Sequence, residues 1–270
     1  LTLEASMAGR DAGLIHRALG RIERTSRRFR ERVEGMPLRR IERARGLPVP
    51  PGRLIHLVAN TEDVGWFLHT GALAAQCIRD TLAKHGLALE ACSSLLDFGC
   101  GAGRVIRHWA GLEGPEVHGV DYNPALLSWC REHLPFAQFH QNGLQTPLPL
   151  PDAHFDFAYA LSVFTHLDEP LQHFWIQELA RALKPGGHLL FTTHGDHYLS
   201  HLTPEDQARY GAGQTVVIHA SREGSNDCAA FHPERYVRET LARGYDVVDM
   251  IPEGALGNPS QDLYLLRKKI

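Results

Sequence analysis

The residues best suited to chemistry begin with a glycine loop. Leu95-Leu96-Asp97-Phe98 is an apolar run that enters Gly99, Gly101 and Gly103. Glycine adopts positive φ at no steric cost and lets a ligand approach the backbone, and a helix start beyond such a loop offers unbonded N–H groups. The spacing separates the nucleotide-type ligands. A dinucleotide fingerprint, G-x-G-x-x-G, requires its third glycine where Arg104 stands, and the chain has no Gly-Lys-Ser/Thr triplet for a phosphate loop. Asp97 adds negative charge at the loop edge, which disfavours a pyrophosphate.

Seventeen histidines in 270 residues are the second reservoir of chemistry, because imidazole titrates near neutral pH. His166 and His194 each follow a strand candidate, and open α/β sheets gather their reacting groups beyond the carboxyl ends of the strands. These two are the candidates for a general base. His194, His197 and His201 also spell H-x-x-H-x-x-x-H, a spacing that suits metal ligands on a helix. That segment starts at a strand end and contains Gly195, so no metal is expected. The five cysteines include no C-x-x-C pair and are expected to be reduced thiols.

The elements that must position these groups alternate. Strands are expected at residues 94–98, 117–120, 136–140, 155–160 and 186–193, with helices at 104–110, 124–133 and from Pro170 onward. Such alternation produces a parallel sheet covered on both faces. The last two strands, around 245–251 and 261–266, are joined by a loop too short for a crossover helix and should pair antiparallel. Before the sheet, apolar residues at helical spacing mark one helix from Asp11 to Met36 and another from about Asp63 to Gly86. A Pro/Gly-rich linker, Gly46–Gly52, lies between them.

At the glycine loop the sequence resembles the class I S-adenosylmethionine-dependent methyltransferases. Four further motifs agree in order: Val117-His-Gly-Val-Asp121-Tyr122-Asn-Pro, Gln141-Asn142-Gly143-Leu144, residues 155–167, and Leu183-Lys-Pro-Gly-Gly-His-Leu-Leu. The resemblance implies an α/β fold: a Rossmann-like, doubly wound, mostly parallel sheet with an antiparallel last strand, plus an N-terminal helical arm. It implies S-adenosyl-L-methionine as cofactor, held by Asp97, Gly99, Gly101, Gly103, Asp121, Tyr122, Asn142, Gly143, Leu144, Leu161 and Phe67. Asp121 would accept hydrogen bonds from the ribose hydroxyls and Asn142 would contact the adenine amino group. Phe67, with Trp66 and Gly71, would cover the methionine end or simply pack on the sheet. An insertion at about 198–236 would face the acceptor through Asn226, Phe231 and His232. The expected domains are a helical arm and linker at 1–50, a helical lid at 51–90, and the methyltransferase domain at 91–270.

The implied activity is methyl transfer, expected at oxygen, to a small-molecule or carbohydrate acceptor. Two other readings stay open: an NAD(P)-dependent reductase, opposed by Arg104 and the lack of a well-placed Tyr-x-x-x-Lys, and a cofactor-binding scaffold without catalysis. Residues 1–50 carry twelve Arg, five Glu and one Asp, a charge of +6 against -9 for the remainder. Acids are interspersed and Phe29 is the one Phe, Tyr or Trp among these residues, too little for a base-stacking surface, so nucleic acid is not an expected partner. Self-association or core packing through the apolar face of this arm is expected instead. No run of about 18 apolar residues suggests a membrane span, and the protein is expected in the cytoplasm.

Overall fold

The structure is a computed structural model that describes residues 46–220 and 228–270. The arginine-rich helix and Asn226 lie outside the described residues. Seven strands, β1 (Ser94–Phe98), β2 (Glu116–Asp121), β3 (Gln138–Gln141), β4 (Phe155–Ala160), β5 (Leu183–Thr193), β8 (Tyr245–Ile251) and β9 (Asp262–Lys268), form one sheet in the order β3-β2-β1-β4-β5-β9-β8. Pairing is parallel from β3 to β5, and β9 runs antiparallel to both β5 and β8. A separate ribbon pairs β6 (Val216–Ile218) with β7 (Ala229–Phe231).

Burial explains the strand composition. All five residues of β1 are buried, as expected for a strand covered on both faces. Leu95 belongs to a core beneath helices α1 (Gly52–Ala59), α2 (Val64–Lys84) and α3 (Pro124–His133), while Leu96 and Phe98 belong to a second core beneath α4 (Glu169–Ala182). Short polar side chains start the helices by accepting orphan N–H groups. Asp63 accepts from Trp66 N at 3.0 Å, Asn123 from Ala125 N at 3.0 Å and Asp168 from Leu171 N at 2.9 Å.

One local expectation is corrected, and the linker gains a contact. The helix expected at 104–110 is a run of turns ending in a 3-10 segment, Ile106–Trp109, with no side-chain cap at its start. Glycines precede it and β-branched Val105 and Ile106 begin it, so little favours nucleating an α-helix there. The linker is also anchored: the Arg107 guanidinium donates to the carbonyls of Leu47 and Pro48 at 3.2 and 3.0 Å, and α1 begins directly at Gly52.

Helix α2 approaches the glycine loop backbone to backbone. A Cβ on Gly71 would collide with the carbonyl oxygen of Arg104, and one on Gly257, in the loop before β9, with the carbonyl of Thr70. Gly71→Ala should therefore destabilise the protein by about 1–3 kcal/mol, the usual cost of overpacking, despite alanine's better helix propensity. Urea denaturation measures this, and an unchanged midpoint would mean that α2 does not sit on the loop.

Candidate active site

The glycine loop leaves β1 by a sharp turn. Gly99 and Cys100 both donate their N–H groups to Val120 O at 2.9 Å. Gly99, Gly101 and Gly103 have φ of +80°, +54° and +78°, values that side chains strain to reach. A Cβ on Gly99 would collide with Val163, which follows β4. At the end of β2 the Asp121 carboxylate accepts from Gly101 N at 2.9 Å and from Asn123 N at 2.8 Å, one bond on each oxygen. The Tyr122 N–H faces the same carboxylate, and at least one of its four lone pairs stays open. Asn142 follows β3, and its N–H donates to Asp121 O at 3.2 Å. Its Nδ2 donates to Gly143 O at 2.9 Å, and its buried Oδ1 has no partner. A buried acceptor without a donor is costly in the free protein and fits a ligand that brings an N–H.

Beneath the loop runs a chain of buried polar groups. Trp109 Nε1–H donates to the Tyr159 hydroxyl at 2.8 Å, which donates to Asp97 Oδ2 at 2.7 Å. Burial pushes the Asp97 carboxyl up to about 7, against the pull of the Tyr159 hydroxyl and the Arg104 guanidinium. Arg104 donates to Gly257 O at 3.2 Å and Asn258 Oδ1 at 2.6 Å, and lies over the Trp66 ring. Asn258 Nδ2 donates to Ser162 Oγ at 3.1 Å, and Gln261 accepts from the Thr192 hydroxyl at 2.7 Å while donating to Ser162 Oγ at 2.8 Å. These bonds join α2, the glycine loop, the ends of β4 and β5, and the β8–β9 loop.

Beyond β4 and β5 stand His166 and His194, rings 6.4 Å apart and nearly perpendicular. His166 Nδ1 lies 2.7 Å from Cys228 O and His194 Nδ1 3.2 Å from Ala230 O. A carbonyl only accepts, so both Nδ1 atoms carry the proton and both Nε2 atoms are left as bases. Residues 228 and 230 present their carbonyls along one edge of the segment that becomes β7. That edge is held beside the end of β5 by His232 N–H donating to His194 O at 2.8 Å. Burial lowers the pKa of His166 and, with the neighbouring His166 and His232 rings adding to it, lowers that of His194 well below the ordinary value. Tyr198 and Phe231 flank His194 at ring distances of 4.3 and 5.4 Å.

Residues 96–191 match the family model of a methyltransferase domain. A ubiquinone biosynthesis O-methyltransferase of Azoarcus sp. is 26% identical over 184 residues, 64% of this chain and 72% of the relative. Residues 96–191 are a methyltransferase domain of the class I S-adenosylmethionine-dependent type. A ubiquinone/menaquinone biosynthesis C-methyltransferase of Laribacter hongkongensis is 33% identical over 150 residues, 51% of this chain and 57% of that relative. A methyltransferase structure from Methanosarcina mazei shares the fold, with a TM-score of 0.51 at 21% identity over 70% of this chain and 97% of that one.

S-adenosylmethionine is the cofactor of this methyltransferase family, and the residues present suit it. Three left-handed glycines open the loop, Asp121 keeps an open lone pair and Asn142 Oδ1 awaits a donor. Tyr122 and Leu144 are exposed, and Gly143 and Leu161 partly exposed, around the same strand ends. Phe67 is a correction. It is fully buried in the core, its ring facing the Arg107 guanidinium at 6.0 Å, so it has no surface for a ligand. Trp66 in the same turn is partly exposed, with the Arg104 guanidinium 5.8 Å over its ring.

The acceptor-side residues change as well. His232 is fully buried with neither ring nitrogen partnered, and burial drops its pKa to about 3, so it cannot touch a substrate. Phe231 is buried in a small cluster with Tyr198, Leu202, Tyr210 and Val216. Arg104, Ser162, Asn258 and Gln261 were not found as site residues by pattern, because each acts through contacts across more than ninety residues of chain.

The raised Asp97 pKa has a testable consequence. The folded protein holds a proton that the unfolded chain releases near pH 4, so Asp97 makes stability fall as pH rises from about 4 to about 7. Asp97→Asn should remove that slope. Denaturation midpoints at pH 5, 6, 7 and 8 should converge on the variant's at low pH and fall below them at high pH.

Proposed function

We propose that this methyltransferase methylates a phenol-type hydroxyl of a small-molecule acceptor, with His194 as proton acceptor and His166 beside it. When bound, S-adenosylmethionine supplies an electrophilic methyl on a sulfonium, open to in-line displacement. The chain binds, orients and takes a proton. Asp121 would hold the ribose hydroxyls, Asn142 Oδ1 the adenine amino group, and the glycine loop the body of the cofactor.

The observation that carries the base assignment is the pair of Nδ1–H bonds to Ala230 O and Cys228 O, which leave both Nε2 atoms unprotonated. An imidazole held below its ordinary pKa is a weak base. It suits a phenol, with a pKa near about 10, better than the far less acidic hydroxyl of a sugar. The relative in Azoarcus is named an O-methyltransferase of ubiquinone biosynthesis, consistent with transfer to oxygen. These grounds favour the small-molecule acceptor over the carbohydrate one, the two classes expected from sequence.

Two measurements test the reading. Asp121→Ala should weaken S-adenosylmethionine binding by about 1–3 kcal/mol in calorimetry, the cost of leaving hydrogen-bond partners unpaired; unchanged affinity would relocate the ribose contact. With a phenolic acceptor, kcat/KM should rise with pH through a limb below pH 6.5, the side on which His194 loses its proton. His194→Ala should abolish that limb and cost roughly 10²–10⁴-fold. Full activity in both His194→Ala and His166→Ala, or methylation of sugars in preference to phenols, would overturn it.

A further inference from the structure

On the other side of β1 from the loop chemistry lies a cluster that the methyltransferase reaction does not use. Glu116 opens β2, His118 follows two residues later on the same face, and His154 immediately precedes β4. The strand between them, β1, presents Ser94 at the level of Glu116. Ser94 is small and buried, and its hydroxyl donates to His154 O at 2.6 Å, which fixes the backbone of that histidine across the gap. Three potential ligand atoms therefore converge. His118 Nε2 is 3.5 Å and His154 Nε2 3.7 Å from Glu116 Oε2, and one ligand atom from each of the three residues lies within 4.8 Å of the others.

These separations are close to the edge of a metal tetrahedron. Ligands about 2.0–2.1 Å from a zinc ion at tetrahedral angles stand about 3.3–3.4 Å apart; Glu116 Oε2 is already near that distance from both imidazoles, and the two histidine nitrogens, within 4.8 Å, close the set by a shift of the His154 ring. Glu116 and His154 can move, since the Glu116 side chain is 61% and the His154 side chain 33% exposed, whereas His118 is buried and fixed. A further group orients the fixed ligand. His118 Nδ1 is 3.2 Å from His140 Nε2, the two rings being stacked, and a proton on His118 Nδ1 donated to His140 leaves His118 Nε2 free to bind. Metal-bound histidines usually donate their second ring N–H in this manner.

We propose that Glu116, His118 and His154 form a binding site for a divalent metal ion of the zinc class, with His140 as the group that orients His118. Two neutral imidazoles and one carboxylate are the ligand types such ions prefer over magnesium or calcium. Three protein ligands leave a fourth position for water. The site sits at the amino-terminal half of β2 and the entry to β4, while the glycine loop and the candidate bases lie at the carboxyl ends. Its role is to tie β2 to β4 across β1, independently of methyl transfer. It is a site that sequence spacing does not reveal, since His154 is 36 residues from His118.

The test is zinc titration of the tag-free, full-length protein, stripped with chelator and followed by calorimetry and by thermal unfolding. The wild type should bind one equivalent tightly and unfold at higher temperature with zinc than without. His154→Gln and Glu116→Gln, both at exposed positions, should fold normally and each weaken that equivalent at least about tenfold. Cobalt bound in place of zinc should show the visible absorption of a tetrahedral ion in the wild type and lose it in His154→Gln. If the wild type takes up no tight equivalent, or if both variants retain it, the three side chains form only a hydrogen-bonded cluster and the proposal fails. A His197→Gln control should leave the tight equivalent unchanged, and its loss there would place the ion elsewhere.

Discussion

Backbone must meet backbone at the glycine loop with no side chain between, and most of the structure is arranged around that requirement. Val163 occupies the space a Cβ on Gly99 would need, and the Arg104 carbonyl occupies the space a Cβ on Gly71 would need. The loop is thus gripped from the β4 end and from α2 at once. Asp121 then fixes its middle by accepting the Gly101 N–H. Because the same carboxylate also accepts from Asn123, the capping residue of α3, the loop, the second strand and the helix after it share a single anchor.

The polar chain under the loop extends that grip to the acceptor side. Arg104 stands where a dinucleotide-binding protein would have its third glycine, and its guanidinium reaches Gly257 and Asn258 before β9. From Asn258 the hydrogen bonds pass through Ser162 and Gln261 to Thr192, next to the end of β5. Buried polar groups joined in this way are costly if any member is lost, so the two halves of the site are held in one register. A rearrangement at the β8–β9 loop would be felt at both.

The histidines gain their chemistry from a different source. Either ring alone would choose its tautomer by solvent, but carbonyls 228 and 230 lie along one edge of the β7 segment and commit both Nδ1 atoms to donation. The short ribbon of β6 and β7 is therefore more than padding at the end of the sheet. It buries Phe231 and His232 and presents its edge to β5. Phe231 and His232, two of the three acceptor-side residues expected from sequence, both lie in packed interior because the ribbon folds against β5 on one side and its own cluster on the other.

The alternation of the main strands and helices, the parallel pairing, the antiparallel last strand, the glycine loop and the methyltransferase resemblance were legible in the chain, whereas the helix Gly52–Ala59 and the turns at 104–110 were not. The legible features depend on local rules: apolar runs of strand length, helix caps one turn before apolar stripes, and glycines where φ must be positive. Folding alone settled which side chains share a site. Phe67 and Trp66 are neighbours in the chain, yet one is buried core and the other lies beneath Arg104. The tautomers of His166 and His194, the link from Arg104 to Thr192, and the meeting of Glu116 and His118 with His154 each bring together residues at least 36 positions apart. Periodicity reports the face on which a residue lies; it carries no information about which distant residue arrives opposite, because that depends on strand order and on how closely the layers pack.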